Sequence, residues 1–501
     1  MKIERIKLFI GILLFAFIIE IQLFIFVEMA DANYTIVEFD AGKGSFEATG
    51  EVATRYTYWN WFEPYSSTAE NSYDYIFTRT RLGLSLNLSH IRFYVQAQDV
   101  HKWGIPDNAI AAAPQGPLGC GAIYYLHGGE KNYHSSIIRQ AYIDVPKLFL
   151  NGLSTRIGRF DYVDGLEVMY KDPKVNWLKK IRLAERLIGP FGWSSFCRSF
   201  DGFQAVYDQQ NFNLHSTLTH PTQGGFENDA HITINDIDLF TLTATMKYNH
   251  VLPNTEGRLF YFYYNDERNI SASVDNTGTN VLDQGQIKIH TIGTHLLGTA
   301  QMELGVFDAL FWGAYQTGDW GLYDHKAWAA GIEGGFQFTH IPWKPWIRAG
   351  YFESSGDSDP ADGDHETFYQ ILPTARKYAL FPFYNMMNNK DLFLQTILKP
   401  FKKMVIRTDL HFLRLSEGND RWYMGAGPTR KDGAIFGYIA RPSGGAEDLA
   451  TVLEMMIIYN YSKYLSGNLY YGHAFGKDVI KNIYEGDKNG DYFFAEFKLK
   501  F

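Results

Sequence analysis

The chain lacks the residues and short motifs on which most enzymes depend. Only two cysteines occur in 501 residues, Cys120 and Cys197, and their spacing does not match a metal site. No G-x-S-x-G, H-E-x-x-H, Walker A or C-x-x-C motif is present. We therefore expect no catalytic residues, no cofactor and no metal. The two cysteines are compatible with a disulfide in an oxidising compartment or with two buried thiols.

Long apolar runs are missing from the body of the chain. After residue 32 no segment approaches the ~20 consecutive apolar residues that a membrane-spanning helix needs. Aromatic residues nevertheless make up 16% of the chain, whereas the mean hydropathy of -0.22 is that of a water-soluble protein. Many aromatic residues without long apolar runs are typical of a transmembrane β-barrel, in which only alternate residues face lipid.

An excess of positive charge is also absent. The formal net charge is -9 at pH 7. This argues against nucleic acid as a partner, because proteins that bind it carry basic surfaces. No repeat of ~35 residues recurs, so a solenoid or a propeller is not expected.

The amino terminus differs from the rest of the chain. Three basic residues precede an apolar run over residues 8–27, and Ala30-Asp31-Ala32 has the small-x-small pattern of a cleavage site. We predict a secretory signal peptide over residues 1–32 and a single barrel domain over residues 33–501. The alternative is an uncleaved membrane anchor, since the run is nearly long enough to span a bilayer. Glu20 within the run and the cleavage pattern favour the signal peptide.

The last residues of the chain, Asp491 to Phe501 (DYFFAEFKLKF), alternate clearly. Successive side chains of a strand point to opposite faces, so every second residue shares a face. One face is apolar: Phe493, Ala495, Phe497, Leu499 and Phe501. The other face is mostly charged: Phe494, Glu496, Lys498 and Lys500. We expect the apolar face to contact outer-membrane lipid and the charged face to line a lumen.

Similar alternating segments of about ten residues, separated by polar turns, recur from residue 50 onward. They predict an all-β protein, a transmembrane antiparallel barrel of about eighteen strands with long extracellular loops and short periplasmic turns. The predicted strands are 52–61, 76–88, 90–99, 137–146, 153–160, 202–209, 212–219, 238–249, 257–265, 285–297, 300–307, 309–316, 327–338, 344–352, 392–399, 403–414, 447–459, 467–474 and 491–501. A helical period occurs only at residues 175–188, inside a long connection.

The polar side of each predicted strand is assigned to the lumen. It carries these basic residues: Arg79, Arg81, Arg92, Arg156, Lys247, Lys288, Arg348, Arg407, Lys498 and Lys500. It carries these acidic residues: Asp99, Asp144, Glu303, Glu333, Asp409, Glu454 and Glu496. Cations are at least as numerous as anions, although the whole chain is acidic. The surplus acid is predicted in loops such as residues 357–366.

A basic lumen is a physical basis for passing anions, because fixed positive charge lowers the barrier for them. The planar fork of Arg also binds carboxylates in pairs. The alternative is that Arg and Glu neutralise one another across the barrel and only stiffen its wall. We predict His411, on an inward position, to be a wall residue rather than a metal ligand.

Several short stretches together resemble the alginate-export family of outer-membrane proteins. In chain order they are Ile157-Gly158-Arg159, Trp193, Arg198-Ser199-Phe200-Asp201-Gly202, Gly350-Tyr351, Ser355-Gly356-Asp357-Ser358-Asp359-Pro360, Phe368, Leu372-Pro373, Leu410-His411-Phe412, Asp420-Arg421-Trp422-Tyr423, Gly444 to Leu449 (GGAEDL) and Tyr471-Gly472-His473-Ala474-Phe475. The resemblance covers most of residues 137–501. It implies an eighteen-stranded barrel whose basic lumen passes an anionic polysaccharide. It also implies that Arg159, Arg198 and Asp201 belong to the substrate pathway.

These observations lead to one expected function and several alternatives. We expect a bacterial outer-membrane porin that exports an anionic, alginate-like polysaccharide. The alternatives are a general small-solute anion porin, a barrel enzyme, and a structural or adhesive surface barrel. Expected partners are the anionic polysaccharide or small anionic solutes, outer-membrane lipid, the barrel assembly machinery and a periplasmic export partner. The machinery recognises a terminal aromatic residue, such as Phe501, in similar barrels.

Overall fold

The computed structural model describes residues 34–39, 44–65, 69–270, 275–277, 285–374, 379–381, 384–425, 427–433 and 436–501. The predicted signal peptide, residues 1–32, lies outside the described residues. None of the helices in the described part of the chain is long and apolar enough to cross a bilayer. Neither Cys120 nor Cys197 forms a disulfide, and both are buried.

The secondary structure is mostly antiparallel strand. In chain order the strands are β1 (Tyr34–Phe39), β2 (Gly44–Asn60), β3 (Ser72–Asn87), β4 (Arg92–Trp103), β5 (Tyr133–Val145), β6 (Leu153–Phe160), β7 (Phe200–Asp208), β8 (Phe212–Pro221), β9 (Ile237–Met246), β10 (Thr255–Asp266), β11 (Ile287–Met302), β12 (Gly305–Trp320), β13 (Tyr323–Phe338), β14 (Trp346–Ser354), β15 (Asp364–His365), β16 (Lys390–Phe401), β17 (Met404–Arg414), β18 (Arg421–Gly425), β19 (Tyr438–Pro442), β20 (Asp448–Asn460), β21 (Leu465–Gly476) and β22 (Asn489–Lys500). The helices are α1 (Cys120–Gly128), α2 (Pro173–Leu178), a π-helix (Lys179–Leu183) and α3 (Asp478–Ile483).

Eighteen of these strands form one closed antiparallel barrel, which confirms the predicted fold class. Each barrel strand pairs with the next one along the sheet, and β22 pairs with β2 from Glu51↔Lys500 to Asn60↔Asp491. The strands outside the barrel wall are β1, β15, β18 and β19. The closing strand β2 begins at Gly44, and β1 pairs with its first residues. Sequence alternation did not place these two segments.

The two faces of the wall differ in composition, as the alternation predicts. On β3, the inward side chains of Tyr75, Phe77 and Arg79 are buried, whereas outward Leu82 is 48% exposed. Large apolar side chains recur on the outward face of strand after strand, among them Leu218, Leu259, Ile292 and Ile332, which are 60–65% exposed. A belt of this kind fits lipid, because isolated soluble proteins rarely expose so large an apolar surface.

The connections at the two ends of the barrel differ in length. One end has tight turns, such as residues 303–304 and 402–403, and we call it the short-turn end. The other end, the long-loop end, carries the connections 104–132, 161–199, 355–389 and 415–447. Buried side chains from these connections pack with inward wall residues into one apolar cluster inside the barrel.

The structure corrects two predicted elements. The predicted strands 300–307 and 309–316 are the end of β11 and a single strand β12, because the turn lies at residues 303–304. The helical segment predicted over 175–188 ends earlier. Asp172 caps α2 by accepting hydrogen bonds from the backbone N–H groups of Lys174 and Val175, and the chain becomes extended at Ala184.

Candidate functional site

The connection between β6 and β7, residues 161–199, folds into the lumen, and we call it the inner loop. It leaves the wall at the long-loop end, after Phe160. Lys174 Nζ on α2 reaches Asp308 Oδ2 and the carbonyl oxygen of Val306, each at 3.0 Å. Val306 lies one residue after the start of β12, at the short-turn end. The inner loop therefore runs along most of the height of the lumen and returns.

Glu333 on β13 is the centre of the inner loop's attachment to the wall. Its carboxylate accepts from Arg182 Nε at 2.7 Å and from Arg186 Nη2 at 3.3 Å, both on the inner loop. It also accepts from Arg348 Nη2 at 2.8 Å, and Arg348 Nη1 donates to Asp308 at 2.6 Å. The side chains of all these residues are at most 1% exposed. Buried charges of this kind depend on one another, because an unpaired ion in such a place is strongly destabilising.

A second set of ion pairs joins the inner loop to β10. Lys179 Nζ lies 2.7 Å from both carboxylate oxygens of Glu256. Arg258 Nη2 donates to Asp164 at 2.8 Å and to Glu167 at 2.6 Å. Burial raises the pKa of Glu167, but the Arg258 guanidinium, together with His215, Lys179 and a backbone hydrogen bond, outweighs burial and brings this pKa down to about 2. The inner loop is thus held against the wall as a fixed partition by two sets of buried ion pairs.

The opposite wall, formed by β22, β2 and β3, carries more cations than anions. We call its cations the basic wall: Arg55, Arg79, Arg81, Lys498 and Lys500. They share two carboxylates. Arg55 is 2.6 Å and Lys498 3.5 Å from Glu496. The distances to Glu51 are 3.0 Å for Arg79, 3.7 Å for Arg81 and 3.6 Å for Lys500.

The basic wall changes in exposure along the barrel. Towards the middle, Arg79 donates to the backbone oxygen of Ser194 at 3.1 Å and both Arg79 and Arg81 contact Cys197 Sγ, so they also hold the inner loop. At the short-turn end the side chains of Lys498 and Lys500 are 26% and 57% exposed. Positively charged side chains are therefore exposed to solvent at the short-turn mouth of the lumen.

The remaining predicted lumen residues lie in several environments. Arg156 on β6 forms a two-point ion pair with Asp144, at 2.5 and 3.0 Å. Arg407 on β17 lies 2.5 Å from Asp409. The guanidinium of Arg92 lies 5.5 Å from the Tyr94 ring centre. Most of the basic residues therefore have carboxylate partners, as in the alternative of mutual neutralisation. The excess is concentrated in the basic wall.

Arg198 lies at the end of the inner loop rather than on a strand. It is 2% exposed, its Nη1 is 3.5 Å from the carbonyl oxygen of Pro428, and its guanidinium is 5.9 Å from the Phe191 ring. Burial lowers the pKa of Arg198 to about 10. This residue packs the long-loop end of the inner loop against the loop that contains Pro428.

Arg159 and Asp201 lie on the outward face, contrary to their predicted place in the pathway. They pair with one another, with both N–O distances at 2.7 Å. They share the parity of Ile157 and Phe203, whose side chains are 58% and 43% exposed. The reason is simple: Arg156 faces inward, and residues three apart on a strand face opposite sides.

Three further predicted lumen residues lie elsewhere, two of them by the same rule. Asp99 pairs in register with Thr80, opposite in parity to the inward pair Arg79↔Val100. Lys288 lies between Ile287 and Ile289, which are fully buried inward. Glu303 is exposed in a turn. All three are outside the lumen lining.

Sequence reasoning missed several basic residues inside the barrel: Arg55, Arg139, Lys179, Arg182, Arg186 and Arg258. Arg139, whose Nη2 donates to both carboxylate oxygens of Asp161, sits at a bulge where the register between β4 and β5 shifts, so simple alternation fails there. Arg258 shares its face with buried Phe260 and Phe262, which made that face look apolar. The spacing of Lys179, Arg182 and Arg186 was a usable signal, because it places all three on one side of a helix.

Comparison with known proteins extends over nearly the whole barrel. A family model described as alginate export matches residues 63–495. The search of curated proteins gives no match. Similar solved structures include a BenF-like porin from Pseudomonas fluorescens Pf-5, with a TM-score of 0.55, 9% identity, and coverage of 91% of this chain and 98% of that one. OpdK of Pseudomonas aeruginosa with vanillate has a TM-score of 0.54, 9% identity, and coverage of 91% and 98%. OccAB1 of Acinetobacter baumannii has a TM-score of 0.53, 12% identity, and coverage of 90% and 96%. At these identities the likeness shows a shared fold.

Proposed function

Since this chain belongs to the alginate export family and is a transport channel of the bacterial outer membrane, we propose that it exports an anionic polysaccharide. The polymer would carry carboxylates, as alginate does. It would enter at the short-turn end, which faces the periplasm, and leave at the long-loop end. Transport would be passive and would involve no catalytic step.

The observation that carries this proposal is the basic wall. Five cations face three inward carboxylates, Glu47, Glu51 and Glu496, and the two lysines of β22 are partly exposed. Uncompensated positive charge at the mouth of a low-dielectric lumen raises the local concentration of anions. Lysine is a compact charge on a flexible stem, so Lys498 and Lys500 suit successive weak contacts with a moving polymer.

The main competing function is a channel for small anionic solutes. It is favoured by the close packing of the long-loop end. Tyr438 Oη donates to the carbonyl oxygen of Gln370 at 2.6 Å, and the Leu372 backbone N–H donates to Leu187 O on the inner loop at 2.8 Å. A polymer would require these loops to move farther outward than a small anion would.

The test of the proposed function is ion selectivity in planar bilayers. We expect the wild-type channel to prefer anions and to be blocked from the short-turn side by a polyuronate, but not by a neutral glucan. The variant Lys498→Gln/Lys500→Gln should lower the anion-to-cation permeability ratio by up to roughly fivefold, which corresponds to two partly screened charges of about 0.5 kcal/mol each. Reversal potentials in a salt gradient measure this ratio.

A matched control is Lys402→Gln/Lys403→Gln. These two lysines are exposed in the turn between β16 and β17 at the same end of the barrel, so the change in net charge is equal but lies outside the lumen. Selectivity should be unchanged in the control. A cation-selective or non-conducting wild-type barrel would reject the proposal. Anion selectivity without block by polyuronate would favour the small-solute channel.

A further inference from the structure

The wall formed by β16, β17 and β20 carries charge of the opposite sign to the basic wall. Its inward residues are Asp391, Asp409, His411 and Glu454, with Arg407 beside them, and the first four are at most 2% exposed. One side-chain nitrogen of His411 and one carboxylate oxygen each of Asp409 and Glu454 lie within 4.8 Å of one another. Three carboxylates therefore face one arginine and one histidine in a buried place.

The imidazole of His411 is oriented by Asp391. His411 Nδ1 lies 2.9 and 3.1 Å from the two carboxylate oxygens of Asp391, so Nδ1 carries the hydrogen and donates it. Nε2 of the same ring is buried and has no hydrogen-bond partner among the described residues. A carboxylate that holds one ring nitrogen and leaves the other free is the usual support of a metal-binding histidine.

The carboxylates are also held in place. Asp409 Oδ1 accepts from Gln395 Nε2 at 2.8 Å, and Gln395 Oε1 is a second buried acceptor without a hydrogen-bond partner. Glu454 accepts from the Leu380 N–H at 2.9 Å, from Tyr470 Oη at 2.9 Å and from the Phe381 N–H. Buried acceptors without donors are rare, since each costs the desolvation of a polar group. A bound cation would take the place of the hydrogen-bond donors that these acceptors lack.

We propose that His411 Nε2 and the carboxylates of Asp409 and Glu454 bind a divalent transition-metal cation of the Zn²⁺ class. One imidazole and two carboxylates suit this class, whereas Ca²⁺ takes six to eight oxygen ligands. Asp391 acts through His411 by fixing its orientation. The site revises our sequence-based interpretation of His411 as a simple wall residue. It is independent of the proposed export function.

The position of the site defines what the metal would do. Asp409 and Glu454 face each other across the β17–β20 pair. Glu454 also holds Leu380 and Phe381, which belong to the long connection between β14 and β16. A bound cation would therefore connect two wall strands to a loop at the long-loop end. It would make the stability of this region depend on metal concentration, because a ligand that binds only the folded state stabilises it.

The test uses the full chain in detergent, treated with a chelator and then titrated with Zn²⁺. A second histidine cluster, Asp99, His101 and His134, lies on the outward face with side chains 36–56% exposed, and it could bind Zn²⁺ as well. The background is therefore His101→Ala/His134→Ala. In this background we expect one equivalent of Zn²⁺ to remain after dialysis, and the temperature of unfolding to rise with added Zn²⁺.

The decisive variants are His411→Gln, Asp409→Asn and Glu454→Gln, each in that background. Each should weaken Zn²⁺ binding at least tenfold. Titration with Co²⁺ should give visible absorption bands in the parent and lose them in the variants. His295→Gln is the matched control, because His295 is a buried inward histidine whose Nε2 already lies 2.8 Å from Glu256. It should keep the bound metal.

Folding of each variant is checked by its heat-dependent mobility shift on gels, so loss of metal is read only from folded protein. Asp409→Asn and Glu454→Gln keep the shape of the side chain, and at least one of them should fold. No retained Zn²⁺ in the parent would overturn the proposal and would indicate that a proton on His411 balances the carboxylates. Unchanged Zn²⁺ affinity in the folded variants would overturn it as well.

Discussion

Asp357, in the connection between β14 and β16, is a carboxylic acid in a place that disfavours its charge. The residue is buried, its Oδ2 has no hydrogen-bond partner among the described residues, and its backbone N–H donates to Asp420 Oδ2 at 3.1 Å. Burial raises the pKa of Asp357 to about 7, and the nearby Asp420 adds to this effect. A carboxyl group with this pKa is partly protonated near neutral pH.

The sign of the resulting pH dependence follows from linkage. The folded loop binds the proton more tightly than the unfolded chain, where the pKa is about 4, so the stability of the loop falls as pH rises from about 4 to 7. We expect limited proteolysis of this loop in the wild-type barrel to become several-fold faster between pH 5 and pH 8. Asp357→Asn should remove most of this dependence. Asp362→Asn, at an exposed position of the same loop, is the control and should behave as wild type. Equal pH profiles for all three proteins would contradict the assignment.

At the scale of one element, the inner loop contains a helix whose start is set by neighbouring residues. Its position is set by ion pairs with wall residues that are distant in sequence. Asp172 and Pro173 start α2, and the helical turns place Lys179 and Arg182 towards the carboxylates of β10 and β13. Arg186, in the chain after the helical turns, reaches the same Glu333. The helix is too short to be stable by itself. Its position depends on Glu256 and Glu333, which belong to strands far along the chain. The inner loop is therefore an element whose stability comes from the wall.

Replacing Glu333 with Gln should loosen this element. The change leaves Arg182, Arg186 and Arg348 near one another with Asp308 as the remaining carboxylate, and the loss of one partner of a buried ion pair costs about 3–5 kcal/mol. We expect the barrel to form, the inner loop to leave its place part of the time, and single-channel conductance to increase with larger fluctuations. Planar-bilayer recordings measure both properties.

The matched control is Glu303→Gln. Glu303 is exposed in the turn between β11 and β12, so the same change in charge is made without touching the inner loop. Its conductance should equal that of the wild type. If Glu333→Gln has the same conductance and noise as Glu303→Gln, the inner loop is not held by these pairs.

At the scale of the whole molecule, the barrel closes at the seam between β22 and β2. The backbone of Phe501 exchanges two hydrogen bonds with Gly50, at 2.7 and 3.0 Å. The ring of Phe501 covers Gly50, where an added Cβ would lie 2.1 Å from the ring's Cζ. The terminal residue thus completes the outer surface of the seam as well as the ladder of hydrogen bonds.

Gly50→Ala should therefore weaken closure. The added methyl group displaces the Phe501 ring, and such overpacking costs about 1–3 kcal/mol. We expect a lower temperature for the heat-dependent mobility shift. Gly298→Ala on β11 is the control, because its nearest neighbours would be 3.8 Å from the new Cβ. In a double-mutant cycle, Phe501→Ala should remove most of the cost of Gly50→Ala. Strict additivity would show that the ring does not press on Gly50.

The sequence by itself determined the barrel, because the alternation of apolar and polar side chains that marks a strand is a local pattern. A strand repeats every two residues, so alternation at Asp491–Phe501 and in the other segments located most barrel strands and assigned inward residues such as Arg79, Glu333 and Glu496. The nineteen predicted segments exceed the eighteen barrel strands by one, because alternation divides β12 between the segments 300–307 and 309–316. The high content of aromatic residues without long apolar runs indicated a transmembrane barrel.

Only the tertiary structure decided which charges meet. The bulge at Arg139 and the path of the inner loop depend on contacts between residues that are distant in sequence. The same holds for the basic wall and for the site at His411, which takes its residues from three strands. Electrostatic interactions act through space at distances of a few ångströms, whereas alternation along one strand reports only the face on which a side chain lies.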